Sequence, residues 1–256
     1  MSNFVGFKWF TYLFQNSATR TDMINTMRNT LIMSFLGVGT SWLPMIFAIF
    51  LCEMKNLRFR RFVQTFTTIP NFISWVLEYA VALAIFSTDG FINTFLKEIG
   101  VVAQNAQGKA WLMSSKHTWL KMWAWGTWKG VGWSAIIYIA GIQNIPGELI
   151  EAAKIDGANR WQLLKSVILP MLMPTITICT FLTLTNGFKL FDQNLALTGG
   201  NPGKMSELLA LNIYNTMYGT TGWQGVGQAK AVIFFIIVAI IALAQNKITT
   251  SKEVQD

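Results

Sequence analysis

The sequence predicts an all-α membrane protein with about five transmembrane helices. Two observations carry that expectation. Apolar residues make up 52% of the chain and charged residues only 12%, roughly half the 25% share typical of soluble domains. The apolar residues also fall in windows of spanning length, about 20 residues each, at Asn29–Cys52, Val63–Phe86, Trp119–Ile142, Met171–Leu190 and Ala229–Gln245. In 256 residues several spans fit, with no room left for a large soluble domain.

In order along the chain, Met1–Phe14 is aromatic and apolar but too short to span. It lacks a basic region ahead of its apolar part and a small-residue cleavage site, so residues 1–28 are expected to lie at the membrane interface on the extracytoplasmic side. The first span contains Pro44, the second Pro70 and the fourth Pro174, which membrane helices tolerate when neighbours satisfy the freed carbonyls. The loop Glu53–Phe62 holds the one basic cluster, Lys55, Arg58, Arg60 and Arg61, and is therefore expected to be cytoplasmic. Loop Ser87–Thr118 carries a helical patch at Phe91–Ile99, and Asp192–Gln228 carries a glycine-rich turn followed by a short helix at Ser206–Met217. An odd number of spans puts the tail 247–256 on the cytoplasmic side, after a single transmembrane domain at 1–246.

The net charge of +8 is dispersed between apolar runs, which fits membrane flanks and argues against nucleic acid as a partner. Cys52 and Cys179 lie at or within apolar segments, and His117 is the only histidine, so no metal site and no Ser/His/Asp catalytic set is expected. Gly199-Gly200-Asn201-Pro202-Gly203-Lys204-Met205 superficially looks like a phosphate loop. It is one residue short, and Met205 stands where Ser or Thr is required, so it reads as a turn.

The polar stretch at residues 144–170 is the strongest signal. Glu148–Ile155 has good helix formers throughout, Gly157 breaks it, and Ala158–Ile168 reads as a second short helix ending at Pro170. Ala152, Ala153, Gly157 and Ala158 would let another backbone approach closely, with Glu148, Glu151, Asp156 and Arg160 as polar contacts.

Glu151-Ala152-Ala153, then Gly157, then Val167-Ile168-Leu169-Pro170 resemble the EAA loop of permease subunits of bacterial ABC importers, with Val167 where isoleucine is usual. Phe4-Val5-Gly6, the stretch ending Arg28-Asn29-Thr30-Leu31, Trp128–Trp133 and Phe191-Asp192…Leu197–Gly203 resemble the MalF-like permeases of oligosaccharide and multiple-sugar importers. In that family a further helix normally precedes the stretch where this chain begins, giving a core of six, although smaller relatives have five. The resemblance implies a multi-pass protein of the bacterial cytoplasmic membrane that is not itself an enzyme and binds no cofactor. ATP and Mg²⁺ would be held by two partner ATPases docked on a cytoplasmic coupling element comprising Glu151, Ala152, Ala153, Asp156, Gly157, Ala158, Leu169 and Pro170. The other implied partners are a second, MalG-like permease, an extracytoplasmic solute-binding protein, membrane lipid and a carbohydrate substrate.

Polar groups inside spans are costly and mark candidate translocation residues. Gln64, Asn71, Trp75 and Glu78 recur at spacings that fall on one face of a continuous helix, a stripe suited to sugar hydroxyls and C–H faces or, equally, to helix–helix contacts. Lys129 sits between Trp125 and Trp133 around the third span; it could pair with Glu78, meet an acidic substrate or reach water. Thr180, Thr183 and Asn186 follow one path along the fourth span, and threonines there commonly bond their own helix carbonyls. The substrate-path candidates are thus Asn71, Trp75, Glu78, Lys129, Trp133, Thr183 and Asn186. Two alternatives stand beside the sugar importer. One is an importer permease for another solute, such as an osmolyte or amino acid; the other is an ion-driven secondary carrier using Glu78 and Lys129, which would have no reason to contain an EAA segment.

Overall fold

The computed structural model describes residues 5–109, 111 and 118–250. Residues 1–4, His117, Lys116 and the tail beyond Thr250 lie outside the described residues. The secondary structure of those described is helical, and the chain divides into two compact units.

The first unit comprises Met1–Met33, Ile73–Gly126 and Gly187–Ile237. It opens with α1 (Lys8–Gln15), which ends at Asn16. The Asn16 carboxamide oxygen accepts from the amides of Ala18 and Thr19 and so starts α2 (Ser17–Gly39), whose first part belongs here. Leu13, Met23, Val226 and Ala229 form one buried core, flanked by Trp9, Phe10 and Trp223. A second core joins Met33, Met122 and Leu208, with Trp119, Trp123 and Leu190 packed against it.

The second unit comprises Ser34–Phe72, Thr127–Asn186 and Val238–Asp256. Its core is Ala48, Leu51, Ala135, Tyr138, Ile139 and Cys179. The Tyr138 hydroxyl donates to the Ser41 carbonyl (3.4 Å), at the break between α2 and α3 (Trp42–Glu53). Pro44 lies in the first turn of α3, where the N–H it lacks has no intrahelical acceptor.

The spans differ from expectation in instructive ways. The first is longer, Ser17–Glu53, and the last, α14, runs Gln224–Thr250. The second is not one helix: α4 (Leu57–Thr68) gives way to a 3₁₀ turn at Ile69–Phe72, and α5 (Trp75–Phe86) starts anew with the Ser74 hydroxyl capping the Leu77 amide. Pro70 cannot donate to α4, and the serine cap offers a fresh start. α6 (Phe91–Glu98) follows, matching the expected patch.

α7 (Thr118–Gln143) is a single helix of 26 residues, about 39 Å long at 1.5 Å per residue. Its length suffices to span, but Lys121, Lys129, the tryptophans and the glycines keep it out of the most apolar class. Close packing explains one glycine: a Cβ at Gly132 would run into the Thr67 carbonyl of α4. By length and composition, three described helices can cross a membrane, or up to four counting a bent pair, Arg160–Met171 with Met173–Phe188, at 66°.

Candidate functional site

The segment expected to form the coupling element is built by two helices. α8 (Gly147–Ile155) has no buried residue. Gly157 follows at φ +79°, a left-handed conformation that an L side chain resists, and a Cβ there would touch nothing within 4 Å. Glycine is therefore required for backbone conformation and not for packing within this chain. α9 (Arg160–Leu163) begins with a reciprocal cap: the Gln162 amide donates to the Asn159 carboxamide (2.9 Å), and the Gln162 carboxamide accepts from the Asn159 amide (2.8 Å).

The chain then widens into a π turn at Leu164–Ile168, which leads into α10 (Leu169–Met171). This corrects the expectation that the second helix ends at Pro170. The helix carries on through the proline to Met171, the wider turn lying where a proline ring would crowd the preceding carbonyls. α11 (Met173–Phe188) starts beyond Leu172 with Pro174 in its first turn. The expected docking residues Glu151, Ala152, Asp156 and Gly157 are exposed, Ala153, Ala158, Leu169 and Pro170 half-buried. Two apolar side chains that the sequence reading did not single out are also uncovered by this chain: Ile155 is 85% and Trp161 69% exposed.

The candidate path residues are more dispersed than the sequence implied. The break at 69–74 leaves Gln64 on α4, puts Asn71 in the 3₁₀ turn itself and places Trp75 and Glu78 on α5, so the stripe does not run along one continuous helix. Within the second unit, buried Lys129 donates to the Pro70 carbonyl (3.0 Å), one of the acceptors exposed by the 3₁₀ turn. Trp133 meets Phe72 edge-on at 6.0 Å. Gln64, Thr65, Thr68, Ile69, Phe72 and Ile136 line a recess of about 250 Å³. Thr183 is half-buried, and Asn186 is exposed. In the first unit Glu78 is buried and Trp75 half-buried.

Sequence reasoning missed a buried ionic cluster in the first unit. Lys230, 1% exposed, donates from Nζ to Asp22 Oδ2 (2.9 Å), Asn212 Oδ1 (2.6 Å) and Thr216 Oγ1 (3.2 Å). Buried Glu207 accepts from the carboxamides of Asn212 (3.2 Å) and Asn215 (2.8 Å), both on α13 (Leu209–Tyr218). Asn29 donates to the carbonyls of Met205 and Glu207, and the Leu209 amide donates to Thr30 Oγ1. From the other side, Asn194 on α12 (Asp192–Leu197) donates to the Ser206 carbonyl and accepts from the Leu208 amide. The glycine-rich turn is thus tied on both sides to helices. A lysine one residue inside the last predicted apolar window was the available signal, but its partners lie up to 208 positions away.

Residues 41–250 match the family described as the inner membrane component of binding-protein-dependent transport systems. A probable starch degradation products transport system permease protein of Thermoanaerobacterium thermosulfurigenes is 39% identical over 205 residues, 77% of this chain and 65% of the relative. A multiple sugar-binding transport system permease protein of Streptococcus mutans is 40% identical over 127 residues, 50% of this chain and 43% of the relative. The matches thus take in less than two thirds of either relative's length. Among solved structures, a bacterial ABC transporter that imports the acidic polysaccharide alginate has a chain with TM-score 0.85 and 25% identity, covering 98% of this chain and 85% of that one. These relatives are transport permeases by name, not enzymes. With helices long and apolar enough to cross a bilayer and a family match across most of its length, the chain belongs to the inner membrane components of binding-protein-dependent transport systems.

Proposed function

We propose that this chain is a transmembrane subunit of an ATP-driven importer that carries a carbohydrate, an oligosaccharide, inward. The observation that carries the reading is the α8–α9 turn, which buries none of its own helical residues and exposes Ile155 and Trp161 next to Glu151 and Gly157. Apolar side chains held in water by a rigid, capped turn fit a protein partner. In this reading residues 144–170 face the cytoplasm and receive two ATPase subunits, which hold ATP and Mg²⁺; this chain binds neither. Closure of the ATPases would push the rigid turn and rock the helices between outward- and inward-facing states. Residues 1–246 act as one permease domain, residues 1–28 lie extracytoplasmically at the interface, and residues from 247 onward form a cytoplasmic tail.

A second permease and an extracytoplasmic solute-binding protein complete the assembly. The sugar assignment draws on the names of the relatives, starch degradation products and multiple sugars. A related structure was solved in complex with a pentasaccharide-bound periplasmic protein, at 26% identity. Asn71, Trp75, Glu78, Lys129, Trp133, Thr183 and Asn186 supply the amide, charged and aromatic groups of the path. The test is uptake of labelled maltotriose and trigalacturonate by vesicles containing the assembled transporter. ATP inside should drive it, and an uncoupler of the proton gradient should leave it intact. Uptake abolished by the uncoupler but indifferent to ATP would instead favour an ion-driven carrier built on buried Glu78 and Lys129.

A further inference from the structure

The first unit contains a cavity of about 610 Å³ that none of the path residues line. Its walls are one face of α2, carrying Asp22, Asn25 and Arg28, the ring of Trp119, and the turn residues Gly203 and Lys204. That volume falls within the ~300–1,000 Å³ range of small-molecule sites. Both walls are held in place. Asn29 clamps the turn through the Met205 and Glu207 carbonyls, and Asn194 fixes its far end. Lys204 adopts φ +62°, a conformation that a non-glycine residue enters only at a cost. The strained backbone places an exposed ammonium at the rim, 3.8 Å from Asp22.

The charge of the lining points to the ligand class. Arg28 and Lys204 contribute two cations. The carboxylate of the lining is Asp22, and it is shared between Lys230 behind it at 2.9 Å and Lys204 at the rim at 3.8 Å, so the three cations outnumber it. An excess of positive charge therefore faces the cavity. A guanidinium binds carboxylate through paired hydrogen bonds, Asn25 can bond hydroxyls, and an indole face takes the C–H side of a sugar ring.

We infer that this cavity is a binding site for a carboxylate-bearing sugar unit, separate from the path candidates within the spans. That the ligand is a sugar rests on the transport reading; that it is anionic rests on the lining itself. A concave recess of this size with a single aromatic wall fits a small solute better than a protein surface, which buries about 800 Å² per partner in a standard interface.

The test is equilibrium binding of trigalacturonate and maltotriose to the full chain in phosphatidylcholine nanodiscs. Trigalacturonate should bind saturably and at least tenfold more tightly than maltotriose. Arg28→Gln and Lys204→Gly should each weaken it tenfold or more with unchanged thermal melting, since glycine relaxes the φ +62° backbone. Arg58→Gln, the same loss of charge at an exposed position that lines neither the cavity nor the path, should leave binding unchanged. Equal binding of the two sugars, absence of trigalacturonate binding, or indifference to both substitutions would overturn the site. So would loss of binding in nanodiscs containing phosphatidylglycerol, which would assign the cavity to an anionic lipid headgroup. Trigalacturonate binding with this variant pattern, but without ATP-driven uptake in vesicles, would sink the transport reading and keep the site. ATP-driven uptake by a chain that fails to bind would sink the site alone.

Discussion

Two glycine-containing turns in this chain behave in opposite ways. At Gly157 the backbone takes φ +79°, nothing lies within 4 Å of where a Cβ would be, and the surrounding helix buries no residue. At Gly200 the backbone takes φ +85°, but a Cβ there would meet the Glu207 side chain at 3.1 Å, and the turn is tied to helices by Asn29 and Asn194. Both turns are polar in sequence, and both need glycine for their conformation. Only one is completed by the chain itself. The second turn's polar groups find partners internally, so its chemistry is structural apart from the cavity rim. The first has exposed Ile155 and Trp161, apolar area that only another molecule can cover.

That contrast makes sharp predictions. The largest effect should come from breaking the internally completed turn. Lys230→Met leaves Asp22 without its buried cation and Asn212 and Thr216 without their donor, and should destabilise the protein by about 3–5 kcal/mol, as for other buried pairs broken on one side. The check is thermal or denaturant unfolding in detergent. Adding Asp22→Asn to Lys230→Met should recover part of the loss, because it removes a stranded charge.

Gly157→Pro or Glu151→Lys should come next, and in function more than in stability. Transport should fall by tenfold or more, and ATP hydrolysis in the same vesicles should fall with it because the ATPase no longer docks, while the chain still inserts. The measurement is uptake against ATP hydrolysis in proteoliposomes, and coupled uptake by both variants would remove the docking assignment. Ile155→Asp should cost the isolated chain less than about 0.5 kcal/mol, since an 85% exposed side chain has little to lose on its own. It should nonetheless lower ATPase co-purification, and equal recovery would mean that this exposed face is not the contact.

The smallest effects should follow from Asn71→Leu and Asn186→Leu. Each should change uptake rates several-fold without dissociating the assembly, as read by native mass and initial-rate transport. Dissociation by both would make them packing residues. Asn186, exposed in this chain, is the better discriminator of the two.

Local signals were legible in the sequence, and long-range ones were not. Gly157 and the polar stretch between apolar windows are properties of short segments, and the helix–turn–helix was readable from them, although the Asn159–Gln162 cap that starts the second helix at Arg160 was not singled out. The short helices at Phe91–Glu98 and Leu209–Tyr218 were readable for the same reason. The second span was misread because apolar composition continues through Pro70, while the backbone answers to the missing N–H and to the Ser74 cap. Periodicity over such a break has no common face to describe. The Asp22–Glu207–Lys230 cluster was invisible because Lys230 meets Asp22 across 208 positions, and no spacing rule reaches that far. Pro170 shows the intermediate case: the expected helix stop was absorbed by a π turn immediately before it.

The most direct test of the account is purification of the chain and its Gly157→Pro variant from native membranes in mild detergent, with associated proteins quantified by mass spectrometry. The account predicts that an ABC ATPase, a second permease and a solute-binding protein accompany the wild-type chain, and that the variant loses the ATPase while still inserting and keeping the permease. Wild-type chain recovered alone, or a variant that retains the ATPase in full, would contradict it.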